Sequence, residues 1–285
     1  MGPLIERGLL GAAALMLFAA TAGPQQAKVD ALRRTLFSQS AVAALQRKYG
    51  KSDVSYLVVD ASSGAILASH WERPEKPIPM GSLVKPFAAL AYAEGHDFRY
   101  PKYECRGSAG GCWQKAPHGE LDLAGAISLS CNAYFRQLAG GVPVESARSV
   151  ARRFALELPH ENATTEDLFG FGAQWPIAPS RMALAYLELL RRKDAPGVSP
   201  ILEGMRQSGR QGTGAAVGRQ LHHSVALVKT GTATCTHARW APADGFVLAL
   251  VPAQTPEVLL LVRLHGVTGA KAAETAASIL REMQE

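Results

Sequence analysis

The stretch "VSYLVVDASSGAILASH", Val54 to His70, decides the fold class of this 285-residue chain. Its first seven residues are rich in β-branched side chains, "ASSG" contains turn formers, and "AILASH" returns as an apolar run. This pattern predicts a β-hairpin. Three further apolar runs are separated by turn residues and predict three more strands, at residues 224–236, 244–253 and 257–266.

Helical periodicity fills most of the chain between the hairpin and these last three strands. It runs from residue 82 to about residue 192, with loops predicted at residues 100–119 and 155–175. Helices are also predicted near both ends of the chain, over residues 27–49 and 269–284.

The order of these elements predicts an α+β fold. It consists of a five-stranded antiparallel sheet flanked by helices, with an all-helical subdomain inserted at about residues 82–222. The cleft between two such layers is a natural ligand site.

The N-terminus has the features of an export signal. Arg7 precedes an apolar run from Leu9 to Gly23, and Ala20-Thr21-Ala22 forms an A-x-A cleavage pattern. The sequence therefore predicts an exported protein, periplasmic or on the outer face of the cytoplasmic membrane. Membrane association is expected only if the signal is not cleaved. The predicted divisions are a signal peptide at residues 1–22, an N-terminal helix at 23–53 and one domain at 54–285.

The charge balance is mildly basic. Thirty Lys and Arg residues against 24 Asp and Glu residues give a net charge of +6 at neutral pH. This favours an anionic substrate or a polyanionic cell surface. The basic residues are scattered along the chain, so a nucleic-acid partner is not predicted.

The four cysteines are Cys105, Cys112, Cys131 and Cys235. Cys105 and Cys112 bracket the glycine-rich "RGSAGG", and in an exported protein they are either a small disulfide or two free thiols. The spacings lack a Cys-x-x-Cys pair and a nearby histidine pair. The sequence therefore predicts no zinc site, no other metal site and no cofactor.

A serine and a lysine three residues apart are the first candidate catalytic pair, in "MGSLVKPF" (Met80 to Phe87). Ser82 opens a predicted helix, where unpaired backbone N–H groups favour an oxyanion. Lys85 lies one turn further on the same face. A lysine acts as a base if burial and cationic neighbours lower its pKa. The alternative is a serine N-cap followed by a solvated lysine.

Two further short motifs contain candidate site residues. Ser130 and Asn132, in "SCN", point the same way if the turn is extended, so both can face a cleft. The "KTGT" that begins at Lys229 suits an edge strand. Gly231 lets a substrate backbone approach closely, and the lysine and threonines offer donors to a carboxylate. The alternatives are a serine turn and a strand edge protected by a lysine.

Taken in this order, Ser-x-x-Lys, Ser-x-Asn and Lys-Thr-Gly resemble the signature of the penicillin-recognising serine acyltransferases. Longer segments are similar to the transpeptidase domains of penicillin-binding proteins. They are "SLVKPF", "HGELDLAGAISLSCNAYFRQLA" (His118 to Ala139), "IAPSRMALAYLELL" (Ile177 to Leu190) and "GTGAAV". The resemblance covers roughly residues 54 to 283.

The resemblance implies a serine acyl-enzyme mechanism. Ser82 attacks the carbonyl of a D-Ala-D-Ala stem peptide of peptidoglycan, or of a β-lactam, and Lys85 accepts its proton. Ser130 then relays a proton to the leaving nitrogen, and the N–H groups of Ser82 and Thr232 hold the oxyanion. The implied substrate-binding residues are Asn132, Lys229, Thr230, Gly231 and Thr232.

Three functions remain open at this stage. The first is a DD-transpeptidase or DD-carboxypeptidase. The second is a secreted serine β-lactamase of oxacillinase-like size, because the motif intervals are compact: 48 residues from Ser82 to Ser130, then 99 to Lys229. Such enzymes usually carry an apolar residue where Asn132 stands, and a Tyr-Gly-Asn motif that this sequence lacks. The third is a non-catalytic sensor of β-lactams or peptidoglycan.

Overall fold

The computed structural model describes residues 40–50, 52–221, 225–236, 238 and 240–283. The predicted signal peptide and residues 27–39 of the predicted N-terminal helix lie outside this part of the chain. Residues 40–49 are helical (α1), which agrees with the second half of that prediction. Within the described ranges, no helix combines the length and hydropathy of a membrane span.

The strands and helices of the described residues have the following bounds. The strands are β1 (Ser55–Asp60), β2 (Ile66–His70), β3 (Ile78–Pro79), β4 (Tyr103–Cys105), β5 (Gly119–Leu121), β6 (Pro176–Ile177), β7 (Leu227–Thr234), β8 (Ala243–Val251) and β9 (Val258–His265). The helices after α1 are α2 (Lys85–Glu94), α3 (Leu123–Ser128), α4 (Asn132–Ala139), α5 (Val144–Arg153), α6 (Thr165–Leu168), α7 (Pro179–Arg191), α8 (Ser199–Gln211), α9 (Ala215–Gln220) and α10 (Gly269–Glu282).

The predicted five-stranded antiparallel sheet is confirmed. Its strand order is β2-β1-β9-β8-β7, so the N-terminal hairpin joins the three C-terminal strands through β1 and β9. Tyr56 lies opposite Val262, and Lys229 lies opposite Leu248. Strand β7, with the Lys-Thr-Gly motif, forms one edge of the sheet.

Both faces of the sheet are buried, which explains why its strands read as nearly continuous apolar runs. Tyr56 and Val58 point into one core with α10 and residues from α1 and α9. Leu57 and Val59 point into the other, which contains most of the helical block. This division follows from the two-residue period of a strand.

The inserted block from α2 to α9 is largely helical, as expected. The structure adds two short antiparallel pairs, β3 with β6 and β4 with β5. In the second pair, β4 lies within the predicted loop at residues 100–119, and β5 begins at the last residue of that loop. Each strand of this pair has three residues, too short to show a two-residue period in the sequence.

Glycines let three backbones meet at the edge of the sheet. A Cβ atom on Gly231 would lie 2.6 Å from the carbonyl oxygen of Met80. Gly81 has a φ of +55°, and a Cβ there would lie 2.2 Å from the carbonyl oxygen of Thr232. On the other side of β7, a Cβ on Gly269, the first residue of α10, would lie 2.3 Å from the carbonyl oxygen of Gly231. The turn before α2 and the start of α10 therefore both pack directly on this strand.

We expect Gly269→Ala to lower the free energy of unfolding by about 1–3 kcal/mol, because a new methyl group would clash with a backbone that cannot easily move. Denaturant unfolding of the full chain measures this change. Gly140→Ala is the matched control, since the atom nearest to its added Cβ is 4.0 Å away. Equal stability of the two variants would contradict the close packing of α10 on β7.

Candidate active site

Ser82 lies in a short turn that leads directly into α2. The turn is a 3-10 helix, Gly81–Val84, and α2 begins at Lys85 with a proline in its first positions. The sequence predicts one continuous helix from Ser82, and the structure resolves it into these two parts. The hydroxyl of Tyr186, on α7, donates a hydrogen bond of 2.8 Å to the carbonyl oxygen of Leu83 and holds the turn in place.

Lys85 is the first residue of α2. Its side chain is fully buried. The Nζ atom donates to the carbonyl oxygen of Ser130 at 3.1 Å and to Oδ1 of Asn132 at 2.7 Å. It also lies over two aromatic rings, 4.8 Å from the centre of Phe135 and 5.0 Å from that of Phe171. The first and second motifs are therefore in direct contact.

Burial changes the acid–base behaviour of Lys85. Desolvation disfavours the ammonium form and lowers the pKa of Lys85 to about 7, partly opposed by the thiols of Cys131 and Cys112. The Arg136 guanidinium lowers the same pKa further. A large fraction of the side chain is therefore a neutral amine at neutral pH.

Ser130 links the second motif to the third. The Nζ atom of Lys229 donates to its Oγ at 3.0 Å and to the carbonyl oxygen of Thr230 at 2.7 Å. Ser130 adopts a left-handed φ of 49°, a conformation that non-glycine residues rarely adopt. This backbone turn ends the α3 segment and places the serine hydroxyl between the two motifs.

Lys229 is also fully buried. Desolvation lowers its pKa well below the usual value for lysine, and the nearby charge of Lys85 lowers it further. Two lysines therefore flank the same serine, and the charge of Lys85 disfavours the charged form of Lys229.

The edge strand β7 supplies the remaining predicted residues. The hydroxyl of Thr230 donates to that of Thr213 at 2.6 Å, and the Thr213 hydroxyl contacts the carbonyl oxygen of Ser128 at 3.3 Å. The Thr232 hydroxyl accepts a hydrogen bond of 2.9 Å from the backbone N–H of Gly269. Thr213 was not among the predicted site residues, although it lies within the "GTGAAV" segment that carries part of the resemblance.

These groups meet at a cleft of about 580 Å³. Its lining includes six of the eight predicted site residues: Ser82, Ser130, Asn132, Thr230, Gly231 and Thr232. The other two, Lys85 and Lys229, are buried beside it through the hydrogen bonds described above. The structure thus gathers all eight residues in one place.

The cleft is also lined by residues outside the three sequence motifs. Trp113, Arg136 and Phe171 line it. The Arg136 guanidinium lies 4.5 Å from the centre of the Phe171 ring and pairs with Glu166. These residues come from α4 and from loops far apart in the sequence, so no local pattern predicts their contact.

The structure brings the three sequence motifs together at the junction of an antiparallel sheet and a helical insert, as the resemblance implies. Residues 54–192 match the family model described as the penicillin binding protein transpeptidase domain. This segment of the chain therefore matches the penicillin-binding protein transpeptidase domain, and the predicted resemblance to that family is confirmed. The sequence matches none of the curated proteins.

Solved structures of penicillin-binding proteins share the fold at low sequence identity. Penicillin-binding protein 2 of Helicobacter pylori has a TM-score of 0.71 at 14% identity, over 86% of this chain and 62% of that one. Penicillin-binding protein 2 of Pseudomonas aeruginosa has a TM-score of 0.68 at 16% identity, over 88% and 73%. The transpeptidase domain of Burkholderia pseudomallei penicillin-binding protein 3 has a TM-score of 0.65 at 16% identity, over 88% and 93%.

We expect Tyr186→Phe to lower the free energy of unfolding by about 1–2 kcal/mol, since the carbonyl oxygen of Leu83 would lose its buried donor. Denaturant unfolding measures the loss. Tyr56→Phe is the matched control, because the buried hydroxyl of Tyr56 has no hydrogen-bond partner among the described residues. The control should be neutral or slightly stabilising. A reversed order of the two variants would contradict the proposed support of the Ser82 turn.

Proposed function

We propose that this chain is a penicillin-binding serine acyltransferase that acts on the D-Ala-D-Ala stem peptides of peptidoglycan through a Ser82 acyl-enzyme. It would work as a DD-transpeptidase or a DD-carboxypeptidase outside the cytoplasm. The observation that carries the proposal is the buried amine of Lys85, held between Ser130 and Asn132 at the start of the helix that follows Ser82. The family match supports the same reading, since proteins of this family bind β-lactams and act on peptidoglycan.

The hydrogen bonds of Lys85 suit a general base. A neutral amine has two N–H donors and one lone pair. The carbonyl oxygen of Ser130 and the Oδ1 of Asn132 accept two hydrogen bonds, which accounts for both donors. The lone pair then remains for the hydroxyl proton of Ser82, so the serine oxygen can attack a carbonyl carbon.

The leaving nitrogen must receive a proton when the tetrahedral intermediate collapses. Ser130 lines the cleft, and its Oγ accepts a hydrogen bond from Lys229. That contact leaves the serine O–H free to donate towards the cleft. We infer that Ser130 gives its proton to the leaving nitrogen and recovers one through the two flanking lysines.

The oxyanion requires preorganised donors close to Ser82. A Cβ atom on Gly81 would lie 2.9 Å from the backbone nitrogen of Thr232, so the turn and β7 approach closely. We infer that the backbone N–H groups of Ser82 and Thr232 hold the oxyanion. Lys229, Thr230 and Thr232 would bind the terminal carboxylate, Gly231 would admit the substrate backbone, and Asn132 would position the acyl side.

The environment of Lys85 also bears on the β-lactamase alternative. In oxacillinase-type enzymes the lysine is carboxylated, and a carbamate is an anion that needs hydrogen-bond donors. Here the two polar partners of the Lys85 amine are both acceptors. Glu166 pairs with Arg136, which lines the cleft. These contacts favour a free amine and slow hydrolysis of the acyl-enzyme, as in a penicillin-binding protein.

Timed intact-mass spectrometry with benzylpenicillin tests the proposal on the full chain. We expect one adduct per chain, located on Ser82 by peptide mapping and stable for many minutes. Ser82→Ala should form no adduct. Ser63→Ala is the matched control at an exposed serine and should label like the unaltered protein.

Each other outcome of this experiment has a defined meaning. Hydrolysed drug without a lasting adduct would replace the proposal with a β-lactamase. A lasting adduct on a protein that does not turn over D-Ala-D-Ala peptides would indicate a sensor. Intact drug and no adduct would show that the three motifs do not form a working acylation site.

We expect the rate of Ser82 acylation to depend on pH with a midpoint near the Lys85 pKa of about 7. The base is the neutral amine, so below this pKa the rate should fall by about tenfold per pH unit, and above it the rate should level off. Labelling rates with a fluorescent penicillin between about pH 5 and 9 measure this profile. Circular dichroism over the same range controls for unfolding. A flat profile, or a midpoint near the usual pKa of lysine, would contradict the role of Lys85.

A further inference from the structure

Three cysteines and one histidine meet beside the loop that carries Ser130. Cys105 ends β4, Cys112 lies in the loop that follows, and His118 directly precedes β5. Cys131 is the N-cap residue of α4. The ligand atoms of these four side chains all lie within 4.8 Å of one another.

Three separations within this cluster match the edges of a tetrahedral metal site. The Nδ1 atom of His118 lies 3.4 Å from Cys105 Sγ and 3.7 Å from Cys112 Sγ. Cys112 Sγ lies 3.8 Å from Cys131 Sγ. Tetrahedral zinc bonds of about 2.3 Å to sulfur and about 2.0–2.1 Å to nitrogen give S···S edges of about 3.8 Å and S···N edges of about 3.6 Å.

His118 is oriented as a metal-binding histidine would be. Its Nε2 atom lies 3.1 Å from Oε1 of Gln114, and an amide oxygen only accepts hydrogen bonds. The Nε2 atom therefore carries the ring proton. The lone pair of Nδ1 is then directed at the sulfur atoms, and the outer hydrogen bond fixes the ring.

The loop between β4 and β5 is folded around the cluster by its glycines. Gly107 and Gly111 have φ angles of +67° and +79°. A Cβ atom on Gly107 would lie 2.2 Å from the carbonyl oxygen of Lys115, so the two sides of the loop are in close contact. The pairing of Cys105 with Gly119 closes its base. The three cysteines are buried, which leaves the histidine edge as the partly exposed side.

This arrangement is the reason to propose zinc where the sequence spacing alone predicts none. Sequence spacing detects ligands that lie on one local turn. Here the ligands come from a hairpin and from the cap of a helix. The alternative Cys105–Cys112 disulfide is not formed, and both residues are free thiols in the structure.

We propose that Cys105, Cys112, His118 and Cys131 bind one Zn²⁺ ion as a closed, structural Cys₃His site. Three thiolates and one imidazole are the donor set that zinc prefers in tetrahedral sites without an open position. Binding releases one proton from each of the three thiols to solvent, and the loaded site has a net charge of −1. The proposal rests on this cluster alone and does not depend on the proposed function.

The ion would tie the hairpin to the site loop. Cys131 lies between Ser130 and Asn132, and its thiolate would be fixed to the β4–β5 loop through the metal. The same loop carries Trp113, whose Nε1 donates to the carbonyl oxygen of Leu129 at 3.1 Å. One bound ion would therefore hold both the second motif and one wall of the cleft.

Metal analysis of the full chain, purified under reducing conditions without chelator, tests the site directly. We expect about one Zn²⁺ per chain by inductively coupled plasma mass spectrometry. Replacement by Co²⁺ should give the visible absorption of tetrahedral cobalt and a thiolate-to-cobalt charge-transfer band. These two measurements need no variant. Removal of the metal should also lower the melting temperature, since the ion joins two segments.

Variants locate the metal on the cluster. Cys112→Ser should lose the zinc, and Cys235→Ser, at the one cysteine outside the cluster, should keep it. His118→Ala should lose the zinc, whereas His118→Cys should retain it as a Cys₄ site, a rescue that a purely hydrogen-bonding histidine would not show. Gln114→Ala should weaken zinc affinity by about 10–100-fold in competition with a chelating dye.

Three results would each overturn the proposal. The first is a reduced, folded chain that binds no zinc or cobalt at micromolar metal. The second is zinc that survives in both Cys112→Ser and His118→Ala. The third is a disulfide among Cys105, Cys112 and Cys131, without metal, in protein isolated from its own compartment. An unchanged melting temperature after metal removal would overturn the structural role of the ion.

Discussion

The amine of Lys85 is fully buried, and its two hydrogen bonds join the helix behind Ser82 to the loop that carries Ser130 and Asn132. A buried ammonium without a carboxylate partner is costly, so the protein favours the neutral amine instead. The rings of Phe135 and Phe171 pack around the same atom and help to keep water away from it. If this one side chain were solvated, Ser82 would lose its proposed base and the second motif would lose its hydrogen bonds to α2.

The sheet edge imposes a second constraint, because the backbone of β7 is approached from two sides. Gly231 and Gly269 permit contacts that any side chain would block. The turn of Ser82 is approached in the same way by the loop after α6, where a Cβ on Gly170 would lie 2.2 Å from the carbonyl oxygen of Gly81. The relative positions of the Ser82 turn and β7 are thus set by backbone contacts, which vary less than contacts between flexible side chains.

Much of this architecture could be predicted from the sequence. The β1–β2 hairpin, the three C-terminal strands and α10 have clear periodicity, and the three motifs identify residues that the structure brings to one cleft. The structure differs where long-range contacts decide the outcome. The three-residue strands β4 and β5 are too short to show a period. Thr213 joins the site only because α8 and its following turn pack beside β7. Arg136 and Phe171 meet across a cleft that no sequence window contains.

The left-handed backbone conformation of Ser130 affects which substitutions are favourable at this position. A non-glycine residue at a φ of 49° costs about 1–2 kcal/mol relative to glycine. Glycine at position 130 would relieve that strain but would remove the hydroxyl that contacts Lys229. Stability and the proposed chemistry therefore favour different residues at this position, a trade-off typical of sites where proteins sacrifice stability for activity. A search for stabilising substitutions would therefore select a change that removes the hydroxyl proposed to donate a proton to the leaving nitrogen.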